Sequence, residues 1–277
     1  MAADRLIRID NPEDPRIAGY RDIRERDLVG RAGRFVAEGT VVLRLLVDAH
    51  VAGGRFQAES LLLLENRIDG LNEILIETPD DVPIYVTSRE VMNAIAGFDI
   101  HRGVLALGRQ QYVPTVEALL ATTPESALVV AACGIANHDN IGAIFRNAAA
   151  FGADAVLLDE TCCDPLYRKA LRVSVGSVLK LPYARGGSIE AMLSALSSAD
   201  FEIWGLSPSG TADIRAIRPA PRMALLTGTE GEGLPQPILR SIRTASIPQA
   251  PGLDSLNAAT ATGIALFTMA SAMRRFE

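Results

Sequence analysis

Short unbroken apolar runs alternate with helical apolar stripes along most of this chain. In the first 112 residues, Ser60-Leu61-Leu62-Leu63-Leu64 is continuous and reads as a buried strand. Residues 34–39, 82–86 and 103–107 read as further strands, the first ending in a turn at Gly39. Residues 40–49 form an amphipathic helical stripe, residues 89–96 a helix capped by Ser88, and residues 22–29 a charged helix. Strands and helices that alternate in this way predict an α/β layer fold.

The same rhythm returns after a bridge over residues 110–125. There Pro114 and Pro124 flank one short helix, 116–121, capped by Thr115. Residues 127–133 are apolar throughout, as in a central parallel strand. Helix 140–151, strand 155–158, helix 165–172, strand 179–183, helix 189–197 capped by Ser188, and strand 201–206 follow. Strand 223–227, helix 237–242 and strand 245–247 complete the alternation. Pro248, Pro251 and Gly252 then forbid regular structure. A last helix, capped by Asp254 or Ser255, carries Leu256, Ala259, Gly263 and Leu266 at helical spacing. The expected organisation is a first domain at 1–112, a linker at 113–126, and a second α/β domain with a mostly parallel sheet at 127–277.

Composition narrows the picture. With 277 residues, 48% of them hydrophobic, the chain can bury a sizeable core. No apolar run reaches the ~18–20 residues a membrane span needs, and the start, MAADRLIRID, has no signal-peptide apolar region. A cytoplasmic location without membrane attachment is expected. Cys133, Cys162 and Cys163 are an odd number without metal-ligand spacing and read as reduced, structural thiols. His50, His101 and His138 are scattered, so no metal site is expected. A net charge of −6 argues against a wholesale electrostatic grip on nucleic acid but leaves room for a local basic surface. Arg24, Arg26, Arg31 and Arg34 are candidates for such a surface, or simply a solvated helix face.

Three stretches carry candidate chemistry. The loop Gly228-Thr229-Glu230-Gly231-Glu232-Gly233 follows an apolar strand and precedes a helix. Its two acidic residues would repel phosphate, and it matches neither phosphate-binding glycine fingerprint. A dehydrogenase or nucleotide-binding protein is therefore disfavoured, whereas a ligand with a cationic centre is less penalised. In the helix 140–151, Ile141, Ile144, Phe145 and Ala148 form a core stripe, and Asn140 reads as the cap. Arg146 sits among apolar neighbours, which is costly unless it meets an anion; Glu230 is the natural partner. The third stretch is 247–267, rich in small residues that let another backbone come close, or simply a tightly packed core helix.

In this order, Asn140 to Gly152, Leu225 to Leu234 and Ile247 to Phe267 resemble the signature set of the SpoU (TrmH-like) RNA ribose 2′-O-methyltransferases of the SPOUT superfamily. Residues 169–182, with Arg172, Ser174 and Gly176, resemble the family too. Two departures are visible. Asn137 stands where the family has an acid, and Gln249-Ala250-Pro251 lengthens the loop before Gly252. The resemblance implies an α/β trefoil-knot methyltransferase domain with a parallel sheet. Phe35, Glu38-Gly39 and His101-Arg102-Gly103 resemble a smaller N-terminal L30e-like domain that binds the RNA substrate. It implies S-adenosylmethionine as cofactor, held at Thr227, Gly228, Ile247, Leu256 and Asn257. It implies rRNA or tRNA as substrate, and a homodimer whose interface completes the site, with Ala259, Gly263, Phe267, Ala270 and Met273 as a contact face. Arg146, Asn140, Glu230, Ser255 and Asn257 are then the expected catalytic cluster. A guanidinium is a poor general base, so Arg146 is expected to stabilise the developing 2′-alkoxide while Glu230 orients it. Methylation that confers antibiotic resistance is a close variant. A non-catalytic RNA-binding protein that kept the fold is the alternative.

Overall fold

A computed structural model describes residues 5–21, 33–97, 100, 102–229, 231–252 and 255–276. The helix expected at 22–29, Arg24, Arg26, Arg31, His101, Glu230 and Asp254 lie outside the described residues.

The first part of the chain runs β1 (Leu6–Ile9), β2 (Arg34–Glu38), α1 (Thr40–Val51), β3 (Phe56–Leu64), α2 (Asn72–Glu77), β4 (Ile84–Thr87), α3 (Arg89–Ala96) and β5 (Val104–Gln110). After it come α4 (Val116–Leu120), β6 (Ala127–Ala132), α5 (His138–Ala150), β7 (Ala155–Leu158), α6 (Arg168–Val173), α7 (Ser177–Lys180) and β8 (Tyr183–Arg185). The chain finishes with α8 (Ile189–Ser198), β9 (Glu202–Leu206), β10 (Ala212–Asp213), β11 (Arg222–Thr227), α9 (Gln236–Ser241), β12 (Arg243–Ser246) and α10 (Ala258–Ala272). The α/β class expected from the apolar pattern is the class observed.

Two compact units result: residues 1–112 with 166–180, and residues 113–165 with 181–277. In the first, five strands pair in the order β1-β4-β3-β5-β2, with β1, β4 and β3 parallel and β5 antiparallel to both its neighbours. A bulge between Ala58 and Ser60 shifts the register of β3 against β5. The buried hydroxyl of Tyr20 plugs it, donating to the Ser60 carbonyl at 2.8 Å and accepting from the Leu107 amide at 3.0 Å. This unit also holds α6 and α7. Arg168 pairs with the buried carboxylate of Glu38, and Gly176, at φ +79°, lies so close to α1 that a Cβ would sit 2.7 Å from Leu45 Cδ1. The sequence reading places 166–180 with the second domain and a strand at 179–183. Helix α7 takes Leu179 and Lys180 instead, and Pro182 separates it from β8, which begins only at Tyr183. Short apolar runs such as Val178-Leu179 fit either helix or strand, and packing decides.

The second unit is a seven-stranded parallel sheet in the order β10-β12-β9-β11-β6-β7-β8. Strand β6 is fully buried because both its edges and both its faces are covered. Ala127, Val129 and Ala131 meet Leu119 and Leu120 of α4 and Met192 and Leu196 of α8. On α5, Ile141, Ile144, Phe145 and Ala148 are buried, as their stripe predicts, and Phe145 packs edge-on to Tyr183 at 5.4 Å. Helix α10 lies against α5 so closely that a Cβ on Gly263 would be 2.8 Å from Asn147 Nδ2, which donates to the Ala259 carbonyl at 2.9 Å. Ala259 and Ala270, expected on a dimer face, are buried within their own chain; Ile264 and Phe267 are left exposed.

Candidate functional site

The parallel strands of the second unit end on one side, and three of them open a cleft there. Strand β11 ends at the buried Thr227 and turns at Gly228. A Cβ on Gly228 would lie 2.5 Å from the Gly233 carbonyl carbon and 2.6 Å from the Leu234 nitrogen, so only glycine allows the loop to fold back on itself. Thr229 closes the ring, its hydroxyl donating to the Gly233 carbonyl at 3.2 Å. Beneath it lies Gly134, where a Cβ would meet Thr229 Cγ2 at 2.5 Å.

Asp159 holds this floor in place. Its carboxylate accepts from the Gly134 amide at 3.1 Å, the Cys162 amide at 2.9 Å and the Thr161 hydroxyl at 2.9 Å. Burial pushes this carboxyl up, but the donors from Gly134, Cys162, Thr161 and Cys133 outweigh burial and hold it below the usual carboxylate range. Burial, with Asp159 beside it, pushes the Cys133 thiol up to about 12. Cys162 and Cys163 are raised by burial as well, so all three are protonated, free thiols with no sign of activation.

The start of α10 differs from expectation. Asn257 is the cap, its Oδ1 accepting from the Ala259 and Thr260 amides at 3.0 and 3.1 Å. Ser255 lies two residues upstream on the cleft wall. Likewise Asn137, not Asn140, caps α5, accepting from the Asp139 amide at 2.8 Å. An asparagine two or three residues before a helix competes with every neighbour that has a short polar side chain, and the backbone chooses. Freed from capping, Asn140 is 5% exposed and faces Asn257, whose Nδ2 donates to Asn140 Oδ1 at 2.9 Å. The logic is sequential. Capping fixes Asn257 with Oδ1 inward, so its Nδ2 must donate and Asn140 must present its oxygen. Asn140 Nδ2 is thereby left buried with no partner.

The cleft has a volume of about 480 Å³, within the usual ~300–1,000 Å³ of small-ligand sites. Thr227, Gly228, Ile247, Ser255, Leu256 and Asn257 all line it. Ile247 and Leu256 are half-buried on its wall, not ordinary core. Asn140 reaches it through Asn257. Arg146 is exposed, has no hydrogen bond or ion pair among the described residues, and is not part of the wall. The expectation that its burial demands an anion therefore fails. Glu230 lies outside the described residues. The sequence reading missed Leu206 to Ser209 at the end of β9, and Gln236 and Gln249. Nothing in the local pattern marks the first. Gln249 belongs to the loop insertion, and its buried Oε1 has no partner. Among the described residues no cluster could hold a metal ion.

An open parallel sheet with a part-apolar cleft beyond the carboxyl ends of its strands, at the meeting of β9, β11 and β12, defines an α/β protein built to bind a small ligand there. Comparison with known proteins gives the particular kind. The SpoU rRNA Methylase family matches residues 127–267, and this chain belongs to that family. An otherwise uncharacterised tRNA/rRNA methyltransferase of Mycobacterium bovis is 36% identical over 266 residues, covering 93% of this chain and 89% of the relative. The AdoMet-bound rRNA methyltransferase of Sinorhizobium meliloti superposes with a TM-score of 0.81 at 27% identity, covering 99% of both chains. An RNA 2′-O ribose methyltransferase shares the fold, with a TM-score of 0.80 at 24% identity over 97% of this chain and all of that one (100%).

Proposed function

We propose that this chain is an S-adenosylmethionine-dependent methyltransferase acting on a ribose 2′-hydroxyl of rRNA or tRNA. The S. meliloti relative, similar over its whole length, binds that cofactor. The cleft suits it: Leu206, Leu239, Ile247 and Leu256 offer apolar walls, and backbone groups at Thr227, Gly228 and Leu256 offer hydrogen bonds. Glu232 adds a carboxylate that a cationic ligand tolerates and a phosphate does not. When bound, S-adenosylmethionine supplies an electrophilic methyl group.

The observation that carries the ribose reading is the unpartnered, buried amide Nδ2 of Asn140 beside Asn257. A hydroxyl oxygen that loses its proton needs donors already in place, and this one pays no reorganisation cost. Arg146, exposed and unpaired among the described residues, is the fixed positive charge; Ser255, Asn257 and Glu230 complete the cluster. Because Arg146 is off the cleft wall, we read the active form as a homodimer in which a second copy brings it in. Residues 1–112, L30e-like by resemblance, then select the RNA without catalysing, and residues 127–277 carry the knotted form that the resemblance implies.

Two measurements test this. Titration with S-adenosylhomocysteine should saturate the chain, and nucleoside mass spectrometry of rRNA and tRNA treated with enzyme and cofactor should show 2′-O-methylated ribose. Methylation confined to bases would overturn the ribose reading. Mixing Arg146→Ala with Gly228→Arg chains should restore activity that neither has alone, and sedimentation of an active monomer would sink the dimer.

A further inference from the structure

A second polar hollow lies on the sheet of the first unit, about 410 Å³ in volume. On this sheet face Val36, Leu62, Leu105 and Leu107 belong to one core cluster with Ile17 and Tyr20 of the 3₁₀ turn Pro15–Tyr20. Beyond Leu107 the face turns polar. Arg34 of β2 and Arg109 of β5 are directly opposed across the antiparallel ladder. Like charges so placed repel. The bulge in β3 leaves Glu59 without a ladder partner, and its carboxylate lies between the two: Arg34 Nε is 2.7 Å from Oε2 and Arg109 Nε is 2.6 Å from Oε1.

Both contacts are ion pairs without hydrogen-bond alignment, since neither Nε nor Glu59 Oε2 finds a hydrogen-bond partner among the described residues. The terminal nitrogens of both have no hydrogen-bond partner among the described residues, and the side chains are 43% and 38% exposed into the hollow. His50, also on its wall, accepts from the Ala58 amide through Nδ1 at 3.2 Å, so a neutral imidazole carries its proton on Nε2 as a further donor. Two arginines against one carboxylate leave a net charge of +1 between them. Asp81 on the rim opposes it; Arg16, also on the rim, is itself paired with Asp14. Fork-shaped donors with free terminal nitrogens suit a phosphate oxyanion.

We infer that Arg34 and Arg109, locked in register by Glu59, form a contact for a backbone phosphate of the RNA substrate. The inference rests on the RNA-methyltransferase reading given above. Phosphate contacts position a substrate without reading its sequence. The site therefore sets where the RNA lies on the first unit, and base choice is left to other contacts.

The test uses the full chain. The variant R34Q/R109Q/E59Q removes all three charges, so no carboxylate is stranded and the net charge changes by only one unit. Binding of bulk tRNA and rRNA is measured against salt, with S-adenosylhomocysteine titration and thermal melting as controls. The expected result is RNA affinity lower by on the order of tenfold and a salt slope reduced by about one, with cofactor affinity unchanged. E59Q alone should strengthen RNA binding and steepen the slope. Unchanged RNA affinity and slope in the triple variant, with wild type binding RNA normally, overturns this site and leaves the methyltransferase reading standing. Loss of inorganic phosphate or pyrophosphate binding without loss of RNA binding assigns the hollow to free anions and also overturns it. A wild-type chain that binds no RNA overturns both.

Discussion

Asp159 shows how a single buried side chain supports the cleft without lining it. Its folded carboxyl lies below the ordinary range, so it favours the folded state wherever the unfolded carboxyl, with a pKa of about 3.9, is ionised. That contribution is fully present above this unfolded value and disappears as pH falls through the folded one. Asp159→Asn should therefore lower the melting temperature near neutral pH and lose less than wild type as pH falls below the unfolded value of about 3.9. Parallel acid limbs in the two proteins would show that Asp159 adds nothing through its charge. Arg146 is different in kind, because an exposed cation with no described partner contributes little to folding. Arg146→Ala should leave the melting temperature and cofactor affinity unchanged while cutting single-turnover methylation by about 10²-fold or more, as loss of an oxyanion donor does. Arg146→Lys should recover part of it, keeping charge without the fork. Near-normal turnover in Arg146→Ala removes this residue from the mechanism.

Among the elements, α10 carries the most. Its first turn is capped by Asn257, which also aligns Asn140, and its small residues let it lie on α5. Capping and alignment separate cleanly by substitution. Asn257→Asp retains the cap acceptor but cannot donate to Asn140. It should keep stability within a few tenths of a kcal/mol, while Asn257→Ala loses about 1 kcal/mol. Both should lose turnover. If Asn257→Asp methylates normally, the Asn257–Asn140 hydrogen bond has no part in the chemistry. The stripe of α5 and the caps Ser88, Thr115 and Ser188 are found where the residue pattern puts them, since each is a local decision between side chain and backbone. The caps of α5 and α10 are not, because several eligible asparagines, aspartates and serines compete there.

For the whole molecule, the grouping of 166–180 with 1–112 has a direct consequence. A fragment of residues 113–277 retains the entire cleft wall but strips α6 and α7 of the surfaces that bury Leu171 and Val178. It should still bind S-adenosylhomocysteine, yet trypsin should cut it rapidly at Arg168, Lys169 and Arg172, bonds that resist in the full chain. Equal resistance in fragment and full chain would mean that this segment folds without residues 1–112.

Periodicity alone settles the α/β class, the buried strand β6, most helices and the Gly228 loop, because burial on two faces and the demands of a tight turn leave marks on neighbouring residues. The cleft-wall positions Thr227, Gly228, Ile247, Leu256, Ser255 and Asn257 were legible only as parts of ordered motifs; each by itself reads as core or cap. What no local pattern contains is decided by chain segments far apart in sequence. Asn140 becomes a buried donor because α10, more than a hundred residues later, places Asn257 against it, |i−j| = 117. Leu206 to Ser209 join the cleft only because β9 pairs between β11 and β12. Segment 166–180 becomes helical where it does because Glu38, Val42 and Leu45 of another unit of sequence receive it. Hydrophobic spacing says which side of an element is buried; only the sheet order says against what.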